Sequence, residues 1–155
     1  MNIEILCPEL KKLKMASEAV GRYIPRTNRF TPCVLKEFKT EKNGSPEYKI
    51  EKEESEILKK ISDKDFLVVL DEKGKSFRTI DLSQKIADLQ NNQGVQKMIF
   101  LIGGPYGLSS KIKERANLKV RLSDLTYNSE VAVVVLAEQV YRTFSLIAGH
   151  PYHNE

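Results

Sequence analysis

An apolar run that ends at paired glycines is the strongest chemical signal in the sequence. Lys97 to Ile102 is typical of a strand, and the turn Gly103-Gly104-Pro105-Tyr106-Gly107 follows it directly. Glycine lets the backbone adopt positive φ and lets a ligand approach the main chain closely. Because ligands of open α/β sheets bind beyond the carboxyl ends of the strands, the turn is a candidate small-molecule site. A tight packing turn would have the same spacing, so both interpretations stay open.

The spacing of the other polar residues argues against several common catalytic centres. The turn lacks the G-x-G-x-x-G order of a dinucleotide-binding motif and the lysine–serine pair of a P-loop. The sequence has no nucleophile elbow and no credible serine–histidine–aspartate set. His150 and His153 are the only histidines and lie in the tail, where a solvated surface role is the simpler interpretation. Asp71 follows an apolar strand, so it lies either at the edge of a site or in an ordinary turn.

Two groups of basic residues would border one ligand site if the fold brings them together. The first comprises Lys11, Lys12, Lys14, Arg22, Arg26 and Arg29, and the second Lys111, Lys113, Arg115, Lys119 and Arg121. With a formal net charge of +4, they favour an anionic partner such as RNA. Solvated helix faces would give the same pattern, so the charge alone does not identify the partner.

Strand-like runs that alternate with helical segments must position these residues. Strands are predicted at 1–6, 33–38, 66–70, 98–102 and 119–122, and helices at 9–23, 46–61, 83–93, 109–116 and 130–148. Continuous apolar runs such as 66–70 suit central parallel strands that are covered on both faces. We therefore predict an α/β fold with a mostly parallel sheet flanked by helices, in a single domain spanning residues 1–155. Pro25 and Pro32 are expected to bracket a loop, and residues 71–75 to turn the chain.

Two helical segments differ in how their apolar residues are arranged. The charged helix 46–61 has a narrow apolar stripe formed by Ile50, Ile57, Leu58 and Ile61. Val131 to Ala137, by contrast, has no polar face at all. A helix that is apolar all round must be covered on every side, which in a chain of 155 residues favours a second subunit.

The cysteines, the histidines and the lengths of the apolar runs exclude several classes of protein. Cys7 and Cys33 lie in separate strand-like runs without ligand-like spacing, so free buried thiols are expected. The histidine spacing does not indicate a metal site either. No run approaches the length of a membrane span, and the N-terminus has no recognisable leader peptide. We expect a cytoplasmic protein with no membrane segment and no metal.

An ordered set of motifs resembles one known family. The set consists of Leu70-Asp71 with Gly74-Lys75, the glycine turn within 101–108, Leu122-Ser123-x-Leu125-Thr126, Glu138-Gln139-Val140-Tyr141-Arg142, and the ending His150-Pro151-Tyr152-His153. Together they are similar to the small bacterial SPOUT methyltransferases that methylate N3 of a pseudouridine in 23S ribosomal RNA, the ribosomal RNA large subunit methyltransferase H family. The resemblance covers essentially the whole chain.

The resemblance implies a C-terminal trefoil knot, an obligate homodimer, and S-adenosylmethionine held by the knot loops. By motif, the cofactor contacts fall on Leu70, Gly103, Leu122, Ser123, Asp124, Leu125, Thr126 and Tyr127. Tyr152 and His153 are expected at the target base, with Arg142 holding RNA or the tail. The tail of one subunit is expected to complete the pocket of the other. The implied partner is 23S rRNA, within the assembled 70S ribosome.

The sequence departs from the family pattern at four positions. Many members have Pro-His after the threonine–aromatic pair, and often an arginine four residues later; here these positions are Asn128-Ser129 and Val133, and a common tail arginine is Asn154. The loss of an imidazole and up to two guanidinium groups removes proton-handling and phosphate-binding capacity. Two alternatives therefore stay open: a catalytically impaired, ribosome-associated dimer, and a SPOUT methyltransferase with a different RNA target.

Overall fold

Five parallel strands form one sheet in the computed structural model, which describes residues 1–11 and 13–154. The strands are β1 (Asn2–Pro8), β2 (Cys33–Phe38), β3 (Phe66–Ser76), β4 (Lys97–Leu101) and β5 (Leu118–Arg121). The helices are α1 (Lys14–Thr27), α2 (Pro46–Leu58), α3 (Thr79–Asn91), α4 (Ser110–Arg115) and α5 (Ser129–Ile147). Strands and helices alternate along the chain, which confirms the predicted α/β fold with a parallel sheet. Lys12, one of the basic residues noted above, and Glu155 lie outside the described residues.

The sheet is covered by helices on both faces, as its apolar strands require. Its strand order is β2-β1-β4-β3-β5, and every pairing is parallel. Along β4, Met98 and Phe100 contact the core on the side of α1, α3 and α5, whereas Ile99 and Leu101 contact the core on the side of α2 and α4. Because successive side chains of a strand point to opposite faces, a strand between two cores must be apolar throughout.

β3 continues beyond its predicted end, so the turn expected at 71–75 is wrong. Val120 of β5 pairs with both Leu70 and Lys75, and the residues between them form an irregularity in the strand. The prediction failed because Gly74 brings two backbones together. A Cβ at this position would lie 2.7 Å from the backbone nitrogen of Val120. No pattern in the local sequence reports that contact.

α1 begins later and ends later than predicted. The Leu10 amide donates a hydrogen bond to the Glu37 carboxylate (3.1 Å), which holds the chain after β1 against β2 instead of starting a helix at residue 9. At the other end the helix runs through Pro25 to Thr27, so the loop expected from Pro25 onward begins only after the helix. Tyr23 packs against Tyr141 of α5, with ring centroids 5.9 Å apart, and this contact stabilises the last turns of α1.

Both cysteines are free and buried, as predicted. Burial raises the pKa of the Cys7 and Cys33 thiols to about 12, so both remain protonated and serve as small apolar side chains. In the described part of the chain, no helix has the length and apolar character needed to cross a membrane. The trefoil knot that the resemblance implies stays a prediction.

Candidate functional site

The carboxyl ends of the central strands border an open cleft of about 1210 Å³. Its walls are formed by the glycine turn after β4, the segment 122–130 after β5, the loops after β1 and β2, and Lys49 and Glu53 of α2. This is the edge of a parallel sheet where ligands bind in open α/β folds. Pockets for one small molecule commonly measure about 300–1,000 Å³, so the cleft has room for more than one bound group.

The structure brings most of the predicted cofactor residues together at this cleft. Seven of the eight line it: Leu70, Gly103, Leu122, Ser123, Leu125, Thr126 and Tyr127. They come from three separate segments that meet because β3, β4 and β5 are parallel neighbours. Asp124 does not line the cleft. Its side chain is 85% exposed, and its carboxylate pairs with the Arg121 guanidinium at 3.1 Å.

The glycine turn is tightly packed on both of its flanks. The Gly107 amide donates to the Gly104 carbonyl (3.0 Å), and Gly107 itself has a φ of +81°, which favours glycine. A Cβ on Gly103 would lie 2.9 Å from Leu108 Cγ, and one on Gly104 would lie 2.7 Å from Glu53 Oε2. The packing interpretation of these glycines is therefore correct. Because the same turn lines the cleft, it is also open to a ligand.

The residues that depart from the family pattern have structural roles beside this turn. The Asn128 side chain caps α5 by accepting a hydrogen bond from the Val131 amide (2.9 Å). The Ser129 hydroxyl donates to the Gly103 carbonyl (2.9 Å), which ties the start of α5 to the glycine turn. Val133 is fully buried in the core. These three positions thus stabilise the cleft wall and the helix behind it.

Asp71 lies at the edge of the cleft, as one of the two interpretations from the sequence had it, but in the irregular part of β3 rather than in an ordinary turn. It lines the cleft, and it also accepts a hydrogen bond from the Lys73 amide (2.8 Å) in the irregular part of β3. Its carboxylate pairs with the Lys113 ammonium at 3.1 Å. Burial by itself would raise the pKa of Asp71, but the Lys73 amide and Lys113 together lower it. The carboxylate is therefore ionised and already paired.

Glu53 is a cleft residue that sequence reasoning missed. It is only 5% exposed, and among the described residues its carboxylate has no hydrogen bond or ion pair. Burial raises its pKa, and nearby Lys49 opposes that shift. A signal was available, because Glu53 lies between Ile50 and Ile57 at helical spacing, which places a carboxylate inside the apolar stripe of α2.

Tyr152, His153 and Arg142 come together, but where the tail packs against the C-terminal half of α5 rather than in the cleft. The Arg142 guanidinium lies 3.2 Å from His153 Nδ1 and stacks 4.7 Å from the centre of the Tyr152 ring. Glu138, also absent from the predicted set, accepts from Arg142 Nε (2.9 Å) and from the Tyr152 hydroxyl (3.3 Å). A solvated role is correct for exposed His150 but wrong for His153, which is half-buried in this cluster.

Electrostatics fix the protonation of two members of this tail cluster, Arg142 and Tyr152. The hydrogen bond to Glu138 is the main cause that raises the pKa of Arg142, so the guanidinium stays charged. Burial, followed by the negative charge of Glu138, raises the pKa of Tyr152, so its phenol stays a hydrogen-bond donor. None of the three predicted catalytic residues lines the cleft. From Ser129 at the cleft to Arg142 the distance along the α5 axis is about 20 Å, at the usual 1.5 Å rise per residue.

α5 is incompletely covered by the described part of its own chain. Val131, Val134 and Val135 remain partly exposed although the segment around them is apolar throughout. A shallow groove of about 200 Å³ runs between α3, α5 and the end of β5, and it is lined largely by apolar side chains such as Leu82 and Leu136. These features are those of a surface that packs against another apolar surface.

Known proteins are similar to this chain over most or all of its length. The family model described as "Predicted SPOUT methyltransferase" matches residues 1–153. A protein of Neisseria meningitidis serogroup C named ribosomal RNA large subunit methyltransferase H is 38% identical over 158 aligned positions, which cover 100% of both chains. Proteins with the same name from Francisella philomiragia and Bacteroides thetaiotaomicron are each 36% identical, covering 99% and 88% of both chains, respectively.

Proposed function

The chain belongs to the SPOUT methyltransferase family, and on that premise we propose that it methylates N3 of a pseudouridine in 23S ribosomal RNA with S-adenosylmethionine as methyl donor. The name shared by its full-length relatives supports the ribosomal RNA substrate. The observation that carries the proposal is the cleft, where seven of the eight residues implied by the family motifs line one site. The proposed substrate form is the assembled 70S ribosome, which assigns the reaction to the cytoplasm, and the proposed reaction uses no metal.

The residues of the cleft fit a nucleoside cofactor. Gly103 lines the cleft and has no side chain, so a ligand can approach its main chain from the cleft. Leu70, Ile102 and Leu122 provide apolar surface for a planar base, and the main chain of 123–127 provides polar groups beside it. When bound, the cofactor supplies a methyl group on a positively charged sulfur, which is a strong electrophile. The work left to the protein is to orient the nucleophile and remove its proton.

We propose a homodimer as the active unit, with a tail from one copy at the cleft of the other. Tyr152 and His153 would then contact the target base, and Arg142 would hold RNA or the tail. Two observations support this arrangement. The three residues cluster at the far end of α5 from their own cleft, and α5 carries partly exposed valines that a second copy would cover.

Methyl transfer to ribosomes tests the proposed function directly. Purified protein is incubated with labelled S-adenosylmethionine and either 70S ribosomes, free 23S rRNA or tRNA from a strain that lacks the modification, and the product is located by mass spectrometry of RNA fragments. We expect one methyl group on one pseudouridine of 23S rRNA, with ribosomes as the better substrate. Label in tRNA alone would favour a different RNA target. Cofactor binding without transfer to any RNA would favour the impaired dimer.

Mixing two inactive variants tests the shared site. One variant, Gly103→Val, crowds Leu108 and displaces the turn that lines the cleft, and the other, Tyr152→Ala, removes a tail residue. If tails act in the partner's cleft, mixed dimers contain one intact site each, and an equal mixture should recover about a quarter of the wild-type activity. A site built within one chain would recover none. Size-exclusion chromatography with light scattering measures the dimer itself, and a monomer would refute the arrangement.

A further inference from the structure

Glu53 is buried at the cleft without a partner of its own. The residue is only 5% exposed, and its carboxylate packs on Gly104, where an added Cβ would lie 2.7 Å from Oε2. The other buried acids of the described chain differ in this respect. Glu4 pairs with Lys36 at 2.9 Å, and Asp65 pairs with Lys97 at 3.2 Å.

A carboxyl group on a residue this buried loses part of its hydration without gaining a hydrogen-bond partner in the described chain. Buried polar groups are normally hydrogen-bonded, and an unpaired one marks a strained or functional position. Glu53 lies within the apolar stripe of α2, where an uncharged side chain would pack without this penalty. It lines the cleft, so a group bound there can reach it. A hydrogen-bond donor on a bound ligand would supply the partner that the described chain does not.

The surroundings favour the imino N–H of the target base over an ammonium group. Lys49, on the same helix, is the charged group that acts on Glu53, and it would repel a second cation. The ring of Tyr106, two residues beyond Gly104, is 51% exposed, and Lys49 Nζ lies 5.2 Å from its centre. An exposed aromatic ring offers a stacking surface to a planar base.

We propose that Glu53 is a catalytic residue that accepts the N3 proton of the target pseudouridine, an inference that rests on the function proposed above. The N3–H proton moves to a Glu53 carboxylate oxygen while the nitrogen electron pair forms the bond to the methyl carbon. The bond between that carbon and sulfur breaks, and its electron pair stays on sulfur as a neutral thioether. The proton then leaves Glu53 for solvent, so charge and atoms balance.

The pKa of Glu53 is consistent with this role. Burial raises it above the value of an exposed glutamate, which makes the carboxylate a stronger base than its solvent-exposed counterparts. Charged groups along the same cleft come from several elements: Lys49 on α2, Glu9 and Lys11 after β1, Glu41 and Lys42 after β2, and the Asp71–Lys113 pair on β3 and α4. Each of these groups also contributes to the pH dependence of kcat, so the test compares the pH profile of kcat between variants.

Glu53→Gln is the decisive variant, because it keeps the shape of the side chain and removes its basicity. Glu51→Gln is the matched control, since Glu51 is exposed on the same helix. Three quantities are measured for both and for the wild type: kcat on unmodified ribosomes against pH, the Kd of S-adenosylhomocysteine by calorimetry, and thermal unfolding. For E53Q we expect kcat to fall by roughly 10²- to 10⁴-fold with an unchanged Kd. The decrease of kcat that the wild type shows toward acidic pH should disappear from the pH profile of this variant. E51Q should match the wild type.

Each other outcome has a definite meaning. Wild-type activity in E53Q overturns the inference and leaves the proposed function standing. A weakened Kd in folded E53Q assigns the carboxylate to the cofactor ammonium and also overturns it. A wild type that methylates no RNA removes the proposed function and the inference with it. If E53Q does not fold, Glu53→Asp is measured instead, because its shorter side chain moves the carboxylate away from the bound base by the length of one methylene. A kcat equal to that of the wild type overturns the inference. A loss of kcat of at least tenfold with an unchanged Kd supports it.

Discussion

Replacing Gly103 by alanine places a methyl group where the glycine turn meets the side chain that follows it. The new Cβ would lie 2.9 Å from Leu108 Cγ and 3.3 Å from the carbonyl carbon of Gly107. Ordinary contacts begin at 3.4 Å, so the turn and Leu108 must separate by several tenths of an ångström. Because one of the two neighbours is backbone, the turn itself has to move.

Two free energies change as a result. Crowding a packed position lowers the free energy of unfolding by about 1–3 kcal/mol. The displaced main chain also loses hydrogen bonding to the proposed cofactor, at about 1–3 kcal/mol for a polar group left unsatisfied. Each 1.4 kcal/mol of binding energy is tenfold in affinity, so the Kd should rise about 5- to 150-fold.

Calorimetry with S-adenosylhomocysteine measures that change, and urea unfolding measures the loss of stability. Gly21→Ala provides the control, because Gly21 is exposed in α1 and an added Cβ would meet no atom within 4 Å. The control should keep the wild-type Kd and gain about 0.5–1 kcal/mol of stability from the better helix former.

A folded Gly103→Ala protein that binds S-adenosylhomocysteine within twofold of the wild type would refute the placement of the cofactor against this turn. An unchanged unfolding free energy would refute the packing argument separately. The two results are independent, so the experiment distinguishes an error in the site from an error in the local geometry.

Three further changes test other parts of the molecule. Arg142→Lys keeps the charge but loses the planar fork that binds two partners, so kcat should fall at least tenfold with the cofactor Kd unchanged, as steady-state kinetics would reveal. Gly74→Ala forces a Cβ to within 2.7 Å of the Val120 backbone, and urea unfolding should show a loss of about 1–3 kcal/mol; an unaltered midpoint would contradict the close approach of β3 and β5. Although burial would raise the pKa of Asp65, a backbone amide and Lys97 lower it. Asp65→Asn should therefore destabilise the protein by about 1–3 kcal/mol at neutral pH, and the deficit should shrink as the pH falls below 3.8, because the wild-type carboxylate then becomes protonated. A deficit that does not depend on pH would count against that pair.

The central strands β1 and β4 and the first half of β3 were predictable because they are buried on both faces. Met98 to Leu101 contacts two separate cores, so every position must be apolar, and such a run is visible without any knowledge of its partners. The end of β3 was not predictable for the opposite reason. Residues 71–76 remain extended because Gly74 lets the β5 backbone approach, which is a contact between segments more than 40 residues apart in the sequence.

The candidate site likewise has one part that the sequence predicted and one part that it did not. The glycine turn could be found because paired glycines directly after an apolar strand are typical of a place where another group approaches the backbone closely. Glu53 is one of many glutamates in α2, and only its spacing from Ile50 and Ile57 indicates that it is the buried one. Its distinguishing property is the absence of a partner among the described residues, and this depends on the packing of α2 against the turn. For the same reason, sequence reasoning interpreted Ser129 only as a lost histidine, whereas the structure has its hydroxyl bonded to Gly103.

The orientation of α5 connects these observations. Its first residue is bonded to the glycine turn at the cleft, and its last turns carry the tail through contacts such as that between Tyr141 and Tyr152, with ring centroids 4.6 Å apart. One chain therefore holds its cleft and its tail at opposite ends of a helix of 19 residues, about 28 Å long. In a two-fold symmetric pair, any contact that brings the end of one α5 to the start of the other is made twice. An antiparallel packing of two α5 helices along their partly exposed valines would thus bury the apolar surface and place each tail at a cleft in a single step.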